Sequence, residues 1–353
     1  MKKYSLSPLP LSQNVETIEV LKQLNAASRA LAELKGVIKT IPNEHILIAT
    51  LGLQEAKDSS AVENIITTND ELFRYDIEFN MTSQAAKEVQ NYKRALLVGY
   101  DAVKQQKLLT NKTIKAIQAE LEKNNAGFRK LPGTALKNNQ GEVVYEPPQD
   151  PRVIMELMVN LEQYINDNEQ DHLDPLIKMA IIHCQFERIH PFYDGNGRTG
   201  RIINILYLVK EALIDIPVLY LSRYIIQHKT EYYTSLNKVN TSDDWESWLL
   251  YMLTAVEITA YDTIRLVNEI RAMMDAFKQK MKTETNFYRK EILETLFKHP
   301  YTKISFLEEV LQIHRNTAAS YLNELTDLGL LNKIKIGRNN YYVNQSLFDL
   351  FRQ

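Results

Sequence analysis

Over residues 15–38 the apolar positions Ile18, Leu21, Leu24, Leu31, Leu34 and Ile38 recur at helical spacing, so an amphipathic helix is predicted there. Pro8 and Pro10 make residues 1–13 an extended arm before it. A second helix is expected to begin at Asn43, to carry Ile46, Ile48, Leu51 and Leu53, and to stop near Lys57. Ser59 followed by Glu63 then reads as N-cap chemistry, the start of a further short helix. Helical patterns continue over 69–79, 83–106, 111–123, 150–166, 175–189, 202–213 and 222–240. Trp245, Trp248, Leu249, Leu250, Met252 and Leu253 predict a core helix, and 258–280 a long connecting one.

The period breaks twice. Over 127–148 two short runs flank Lys137-Asn138-Asn139-Gln140-Gly141 and end at Pro147-Pro148, the signature of a β-hairpin in an otherwise helical chain. An isolated hairpin is only marginally stable, so this one must lean on helices or a ligand. From residue 285 three short helices (287–299, 304–312, 316–331) precede two β-rich runs within 334–344, around Gly337-Arg338-Asn339-Asn340. Three helices followed by a hairpin form a winged-helix pattern. The predicted fold class is mainly α: a helical bundle with a β-hairpin, plus a small C-terminal winged-helix domain. The predicted domains are a helical N-terminal region (1–110), a core (111–256), a connecting helix (257–284) and the winged helix (285–353).

Composition narrows the class. With 353 residues, 44% of them hydrophobic, the chain has room for two or three packed units. No run approaches the length of a membrane span, and Met1-Lys2-Lys3 leads into Tyr-Ser-Leu-Ser-Pro instead of a sustained apolar core, so a cytoplasmic protein is expected. The single cysteine, Cys184, excludes an intramolecular disulfide and a cysteine zinc site. A net charge of -2 exerts no global pull towards nucleic acid or acidic membranes.

The chemistry is concentrated in His190-Pro191-Phe192-Tyr193-Asp194-Gly195-Asn196-Gly197-Arg198-Thr199-Gly200-Arg201, directly after an apolar helix. It holds one base for neutral pH (His190), one hard-metal ligand (Asp194), three glycines, an amide and two guanidiniums. Glycines let backbone N–H groups approach an anion closely, and a helix starting near Gly197 adds its dipole. Arg198 and Arg201, at i and i+3, can face one side and grip successive phosphates. A carboxylate beside phosphates is a usual magnesium site. The spacing is neither a P-loop nor a dinucleotide fingerprint. A plain Asp-Gly-Asn-Gly turn would need neither the histidine nor the arginines.

This stretch resembles the HPFx(D/E)GNGRxxR motif of the Fic family of nucleotide transferases, with every defined position met, and Gln185-Phe186-Glu187-Arg188-Ile189 resembles the helix end that precedes it there. The resemblance implies a Fic helical bundle and transfer of AMP from ATP to a Ser, Thr or Tyr hydroxyl of a protein, with pyrophosphate released. In that reading His190 deprotonates the hydroxyl, Asp194 holds Mg2+, and Gly195, Asn196 and Gly197 cradle the phosphates. Arg198 and Arg201 bind the outer phosphates, Arg201 the γ-phosphate, with Thr199 and Gly200 completing the ATP-binding stretch. Tyr232 and Asn240, from Tyr232-Tyr233 and the later asparagine, resemble adenine-pocket positions. Residues 127–148 resemble the family's flap, with Thr134, Ala135 and Leu136 as the edge that docks the target. Ser59, Glu63 and Asn64 resemble the (S/T)xxxE(G/N) inhibitory sequence, placed on a helix near 59–66, with Glu63 pairing Arg201 in place of the γ-phosphate.

Two other functions compete. Glu63 could orient a water that removes AMP from a modified protein. Alternatively the Fic core senses a nucleotide for a DNA-binding regulator, with Arg315, Asn316, Thr317, Ser320 and Arg338 at the recognition helix and wing. Against DNA stand Glu291, Glu294, Glu308, Glu309, Glu324 and Asp327, which deny the unit a basic face and favour protein docking or dimerisation. The expected partners are thus ATP and a protein target, with self-modification and a homodimer as further expectations.

Overall fold

The computed structural model describes residues 6–75, 83–137, 141–167, 169, 171–336 and 339–352. Residues 76–79 of the expected third helix, Asn138, Asn139 and Gln140 of the flap turn, and Gly337 and Arg338 of the wing turn lie outside the described residues.

In chain order the helices are α1 (Ile18–Ile38), α2 (Glu44–Val62), α3 (Asn69–Tyr75), α4 (Gln84–Gln106) and α5 (Asn111–Glu122). The strands β1 (Leu136–Lys137) and β2 (Val143–Tyr145) follow, then α6 (Pro151–Asn166), α7 (Pro175–Ile189), α8 (Asn196–Lys210), α9 (Leu221–Gln227), α10 (Lys229–Ser242) and α11 (Trp245–Glu284). The chain closes with α12 (Lys290–Lys298), β3 (Tyr301–Thr302), α13 (Ile304–Leu311), α14 (Arg315–Asp327), β4 (Asn332–Ile336), β5 (Asn339–Val343) and α15 (Gln345–Leu350). The fold is mainly α, with two small antiparallel sheets, β1-β2 and β3-β5-β4, among the described residues.

The residues form two compact units. The first holds Met1–Lys35, Glu55–Ile66 and Glu88–Tyr261; the second holds Gly36–Gln54, Thr67–Lys87 and Asp262–Gln353. At the centre of the first unit lies α7, buried on almost every side from Leu176 to Ile189 and packed against α6 and α8. Asp174 caps it through Leu176 N, and Pro175 occupies its first turn. Gly200 lets α8 approach α7: a Cβ there would meet Glu187 Oε1 at 2.6 Å and Phe186 Cδ1 at 3.2 Å. The hairpin leans on this core, as expected, through Tyr145, whose hydroxyl donates to the Arg188 carbonyl at 2.9 Å.

In the second unit Phe73 stacks on Tyr301 and meets Phe348 and Phe351, and Asn43 Nδ2 donates to Glu294 Oε2 at 2.8 Å. The unit therefore draws its core from both ends of the chain.

Three boundaries differ from expectation. No helix starts at Ser59: α2 runs on through Lys57 to Val62, because Ala56, Ser59, Ser60 and Val62 continue its buried face. Residues 245–284 are one helix of 40 residues; Ile264, Val267, Ile270, Met274, Phe277 and Met281 prolong the buried stripe of Trp248 and Met252 with no glycine or proline between. The stretch 222–240 is instead divided into α9 and α10 at His228, whose ring stacks on Tyr224 at 4.1 Å.

Candidate active site

The motif begins where α7 ends. His190 is the C-cap of that helix, left-handed at φ 48° and ψ 59°, with its N–H bonded to the Phe186 carbonyl at 2.9 Å. Arg129 grips the same corner: its Nε donates to the His190 carbonyl at 2.8 Å, an Nη2 contact reaches the Pro148 carbonyl, and its N–H donates to the Pro191 carbonyl at 2.8 Å. Burial, then the charge of Arg129, push the His190 imidazole down to about 4, so it is neutral at physiological pH.

The loop then turns into α8 through Gly195, the N-cap, at φ 75°. Asn196 staples this turn, its Oδ1 accepting from Phe192 N at 2.8 Å and its Nδ2 donating to Phe192 O at 2.9 Å. Its side chain shapes the cradle and is not turned to a ligand. Asp194 is exposed, with Oδ1 held by the Gly195 N–H at 2.7 Å. A hard oxygen donor presented at a helix N-terminus suits magnesium that takes its remaining ligands from phosphate and water. Among the described residues no group of three or more His, Cys, Asp or Glu gathers into a metal site, so Asp194 would bind an ion together with such outside oxygens.

Around α8 the helical period sorts the other predicted residues. Gly197 and Arg201, four apart, face Glu63: a Cβ on Gly197 would collide with Glu63 Oε1. Thr199 and Gly200 point into the protein, both buried, Thr199 fully so, and Gly200 makes the contact with α7. The reading of these two as ligands for ATP gives way to packing, because a 100° step per residue turns them from the cleft. Arg198 is 5% exposed and pairs with Glu122 at 2.8 Å and Glu88 at 3.4 Å.

Arg201, 2% exposed, is held by α2. Its Nε donates to Ser59 Oγ at 2.8 Å, and its Nη2 donates to the Ser59 carbonyl at 3.0 Å and to Glu63 Oε1 at 2.9 Å. Burial raises the Glu63 carboxyl, but the charge and hydrogen bond of Arg201 prevail and hold it below the usual range, ionised at neutral pH. Asn64, at φ 63°, takes the left-handed position that ends α2, where its N–H donates to Ala61 O and that of Ile65 to Ser60 O, both at 3.0 Å. Those two bonds make a Schellman motif, which explains why glycine or asparagine suits that place. The Ser59–Glu63 segment is thus the last turn of a helix.

The adenine-pocket expectation fares unevenly. Tyr232 is buried at 2% exposure, its hydroxyl 2.8 Å from His183 Nε2, inside an aromatic cluster with Trp248 and Tyr251. Its neighbour Tyr233 is 46% exposed, with Glu63 among the charges that raise its hydroxyl after burial, and is the ring open to a ligand. Asn240 accepts from Arg188 Nε at 2.9 Å and lines a cavity of about 470 Å³ with Arg188 and Trp245. On the flap, Thr134, Ala135 and Leu136 are half-buried, and Leu136 faces Tyr145 across the hairpin. Sequence reasoning missed Arg129, Glu122, Tyr193 and Lys229. The Tyr193 hydroxyl accepts from Lys130 N at 2.8 Å and ties the loop to the flap, and Lys229 Nζ donates to the Val62 carbonyl at 2.6 Å and caps α2.

Comparison with known proteins bears on the family and the fold. Residues 21–101 match the Fic/DOC family N-terminal model, 108–208 the Fic/DOC family, and 273–347 the C-terminal domain of SoFic-like protein adenylyltransferases. Protein adenylyltransferase fic-1 of Caenorhabditis elegans is 32% identical over 98 residues, 27% of this chain and 18% of the relative. The chain spans about a fifth of the length of the curated relatives it matches. A Fic family protein from Desulfovibrio desulfuricans G20 shares the fold over 96% of this chain and 98% of its own, at TM-score 0.60 and 18% identity. A Fic domain containing signaling protein from Bacteroides thetaiotaomicron does so over 70% and 97%, at TM-score 0.54 and 18% identity. With its motif, its helical core and three successive domain matches in register, the chain belongs to the Fic/DOC family.

Proposed function

We propose that the protein transfers AMP from ATP to a Ser, Thr or Tyr hydroxyl of a protein, and that Glu63 inhibits this transfer. One observation carries the reading: a neutral histidine and a buried arginine flank the open N-terminal turn of α8. The N–H groups of Asn196, Gly197 and Arg198 open that turn and receive phosphate oxygens. His190 accepts the hydroxyl proton as the hydroxyl oxygen attacks the α-phosphorus. The new O–P bond forms, the bond from the α-phosphorus to the oxygen bridging to the β-phosphate breaks, and pyrophosphate carries the electron pair away. Arg201 stabilises charge on that leaving group. Magnesium held by Asp194 would neutralise phosphate charge. Tyr233, more than Tyr232, offers its face to the base, with Asn240 one helical stretch on. The edge of β1 at Thr134–Leu136 takes the target segment.

Glu63 occupies the guanidinium that the γ-phosphate would claim. A charge-assisted pair is worth about 1.5–3 kcal/mol, so replacing Glu63 should raise productive binding roughly ten- to a hundredfold. The test is incorporation of AMP from α-labelled ATP with magnesium. Glu63→Gly should label itself or an added target more than the wild type, and adding His190→Ala should abolish the label while the fold persists. Labelling that survives His190→Ala refutes the base. Loss of AMP from a labelled protein only when Glu63 is present would favour the hydrolytic reading.

A further inference from the structure

Below the glycine turn, α5 presents Gln118 and Glu122, four residues apart on one face. Gln118 Nε2 donates to the Asp194 carbonyl at 3.3 Å. Glu122 Oε1 accepts from Arg198 Nη2 at 2.8 Å, and Arg198 Nη1 lies 3.4 Å from Glu88 Oε2 on α4. Both terminal nitrogens of this arginine therefore face carboxylates of neighbouring helices, and its Nε is buried without a partner. Glu122 also lies against Gly195, where a Cβ would overlap its carboxylate. The end of α5 is itself anchored to α4, by Asn91 Nδ2 on the Leu121 carbonyl at 3.3 Å and by Arg94 Nε on Glu120 Oε1 at 3.0 Å.

We infer that Glu122 is a positioning residue, which with Glu88 behind it fixes Arg198 and through it the N-terminal turn of α8 that receives the phosphates. This rests on the reading of the cleft as a nucleoside triphosphate site. Glu63 meets Arg201 and Glu122 meets Arg198, and their settings separate their roles. The Glu63 side chain is 37% exposed at a helix end, able to withdraw into water when a phosphate arrives. That of Glu122 is 14% exposed and wedged between Arg198 and the Gly195 backbone, so its withdrawal would leave a buried guanidinium half-paired and the turn unsupported. Arg198 acts from beneath the turn, and Arg201 from the cleft side.

The experiment compares Glu122→Gln, Glu122→Ala, Arg198→Ala and the Glu122→Ala/Arg198→Ala double variant, each in the full chain with Glu63→Gly. Steady-state kcat and KM for ATP are read alongside hydrogen exchange of the Thr199–Arg201 amides, with thermal melting to confirm folding. Glu122→Gln should lower kcat/KM by roughly tenfold and speed exchange at those amides, and the double variant should be no worse than Arg198→Ala alone. Strictly additive losses would overturn the inference, as would Glu122→Gln raising AMP incorporation in the chain that keeps Glu63, which would make it a second inhibitor. If Glu63→Gly itself incorporates nothing, the transferase reading has failed. Amide exchange then decides alone, and unchanged exchange in Glu122→Gln refutes the positioning role.

Discussion

At the scale of single residues, the proposed role of His190 as the base makes its protonation set the pH dependence. A general base must be neutral before it acts, and kcat/KM reports the protonation of the free enzyme. Burial and Arg129 place this imidazole near 4 instead of its ordinary 6.5, so kcat/KM of the Glu63→Gly enzyme should stay level through pH 6.5 and fall only near pH 4. A profile that bends near 6.5 would mean an exposed imidazole or another base. The same depression bears on stability. Folded chains bind fewer protons here than unfolded ones between about 6.5 and about 4, so the contribution of His190 declines as pH falls through that window. The motif made the gathering of His190, Asp194 and Arg201 around the glycine turn legible in the sequence. It did not separate Asn196, Thr199 and Gly200, which shape or pack the turn, from residues that face the cleft, because a motif names neighbours in sequence and a helix sends successive residues 100° apart. Arg129 and Glu122 were illegible for another reason: each works through a carbonyl or a guanidinium far along the chain, with no spacing to mark it.

At the scale of elements, the end of α2 matters most. In the sequence Ser59, Glu63 and Asn64 fit both an N-cap and the inhibitory pattern that the Fic resemblance implies, since serine before glutamate suits either. The deciding feature is burial of Ser59 and Ser60, which only the packed structure displays. Asn64 ends the helix at φ 63°, where a β-branched side chain is strained by about 1–2 kcal/mol. Asn64→Val should therefore fray the last turn, loosen Glu63 from Arg201 and raise AMP incorporation severalfold above wild type, whereas Asn64→Gly should leave it near the wild-type level. Equal effects of the two substitutions would show that the lost Asn64 side chain, not the backbone, holds the turn. The hairpin was legible as a hairpin from its glycine, asparagines and prolines. Its anchorage by Tyr145 and Tyr193 was not, since each hydroxyl joins residues far apart in the chain, Tyr145 to the Arg188 carbonyl and Tyr193 to the Lys130 N–H.

At the scale of the whole chain, the order of the segments links Glu63 to the second unit. The chain contributes Gly36–Gln54 to that unit, passes through Glu55–Ile66 in the first, and returns to the second with Thr67–Lys87. The Ser59–Glu63 turn is thus carried between two stretches that belong to the second unit. Asn69 Nδ2 donates to the Phe351 carbonyl at 2.5 Å, Tyr301 donates to Asp70 Oδ1 at 2.6 Å, and Phe73 meets Tyr301, Phe348 and Phe351. Hydrophobic periodicity revealed the helices of both stretches and gave no sign of this exchange, because their apolar faces look alike whichever unit covers them. Phe73→Ala tests whether the tether matters. Truncating a buried phenylalanine costs about 3–5 kcal/mol, so thermal melting should fall. If the second unit steadies the turn, AMP incorporation by the folded variant should also rise towards that of Glu63→Gly, with no further rise when the two substitutions are combined. A lowered melting temperature with incorporation unchanged would confine the second unit to its own stability and leave the docking of Glu63 to α2 and Arg201 alone.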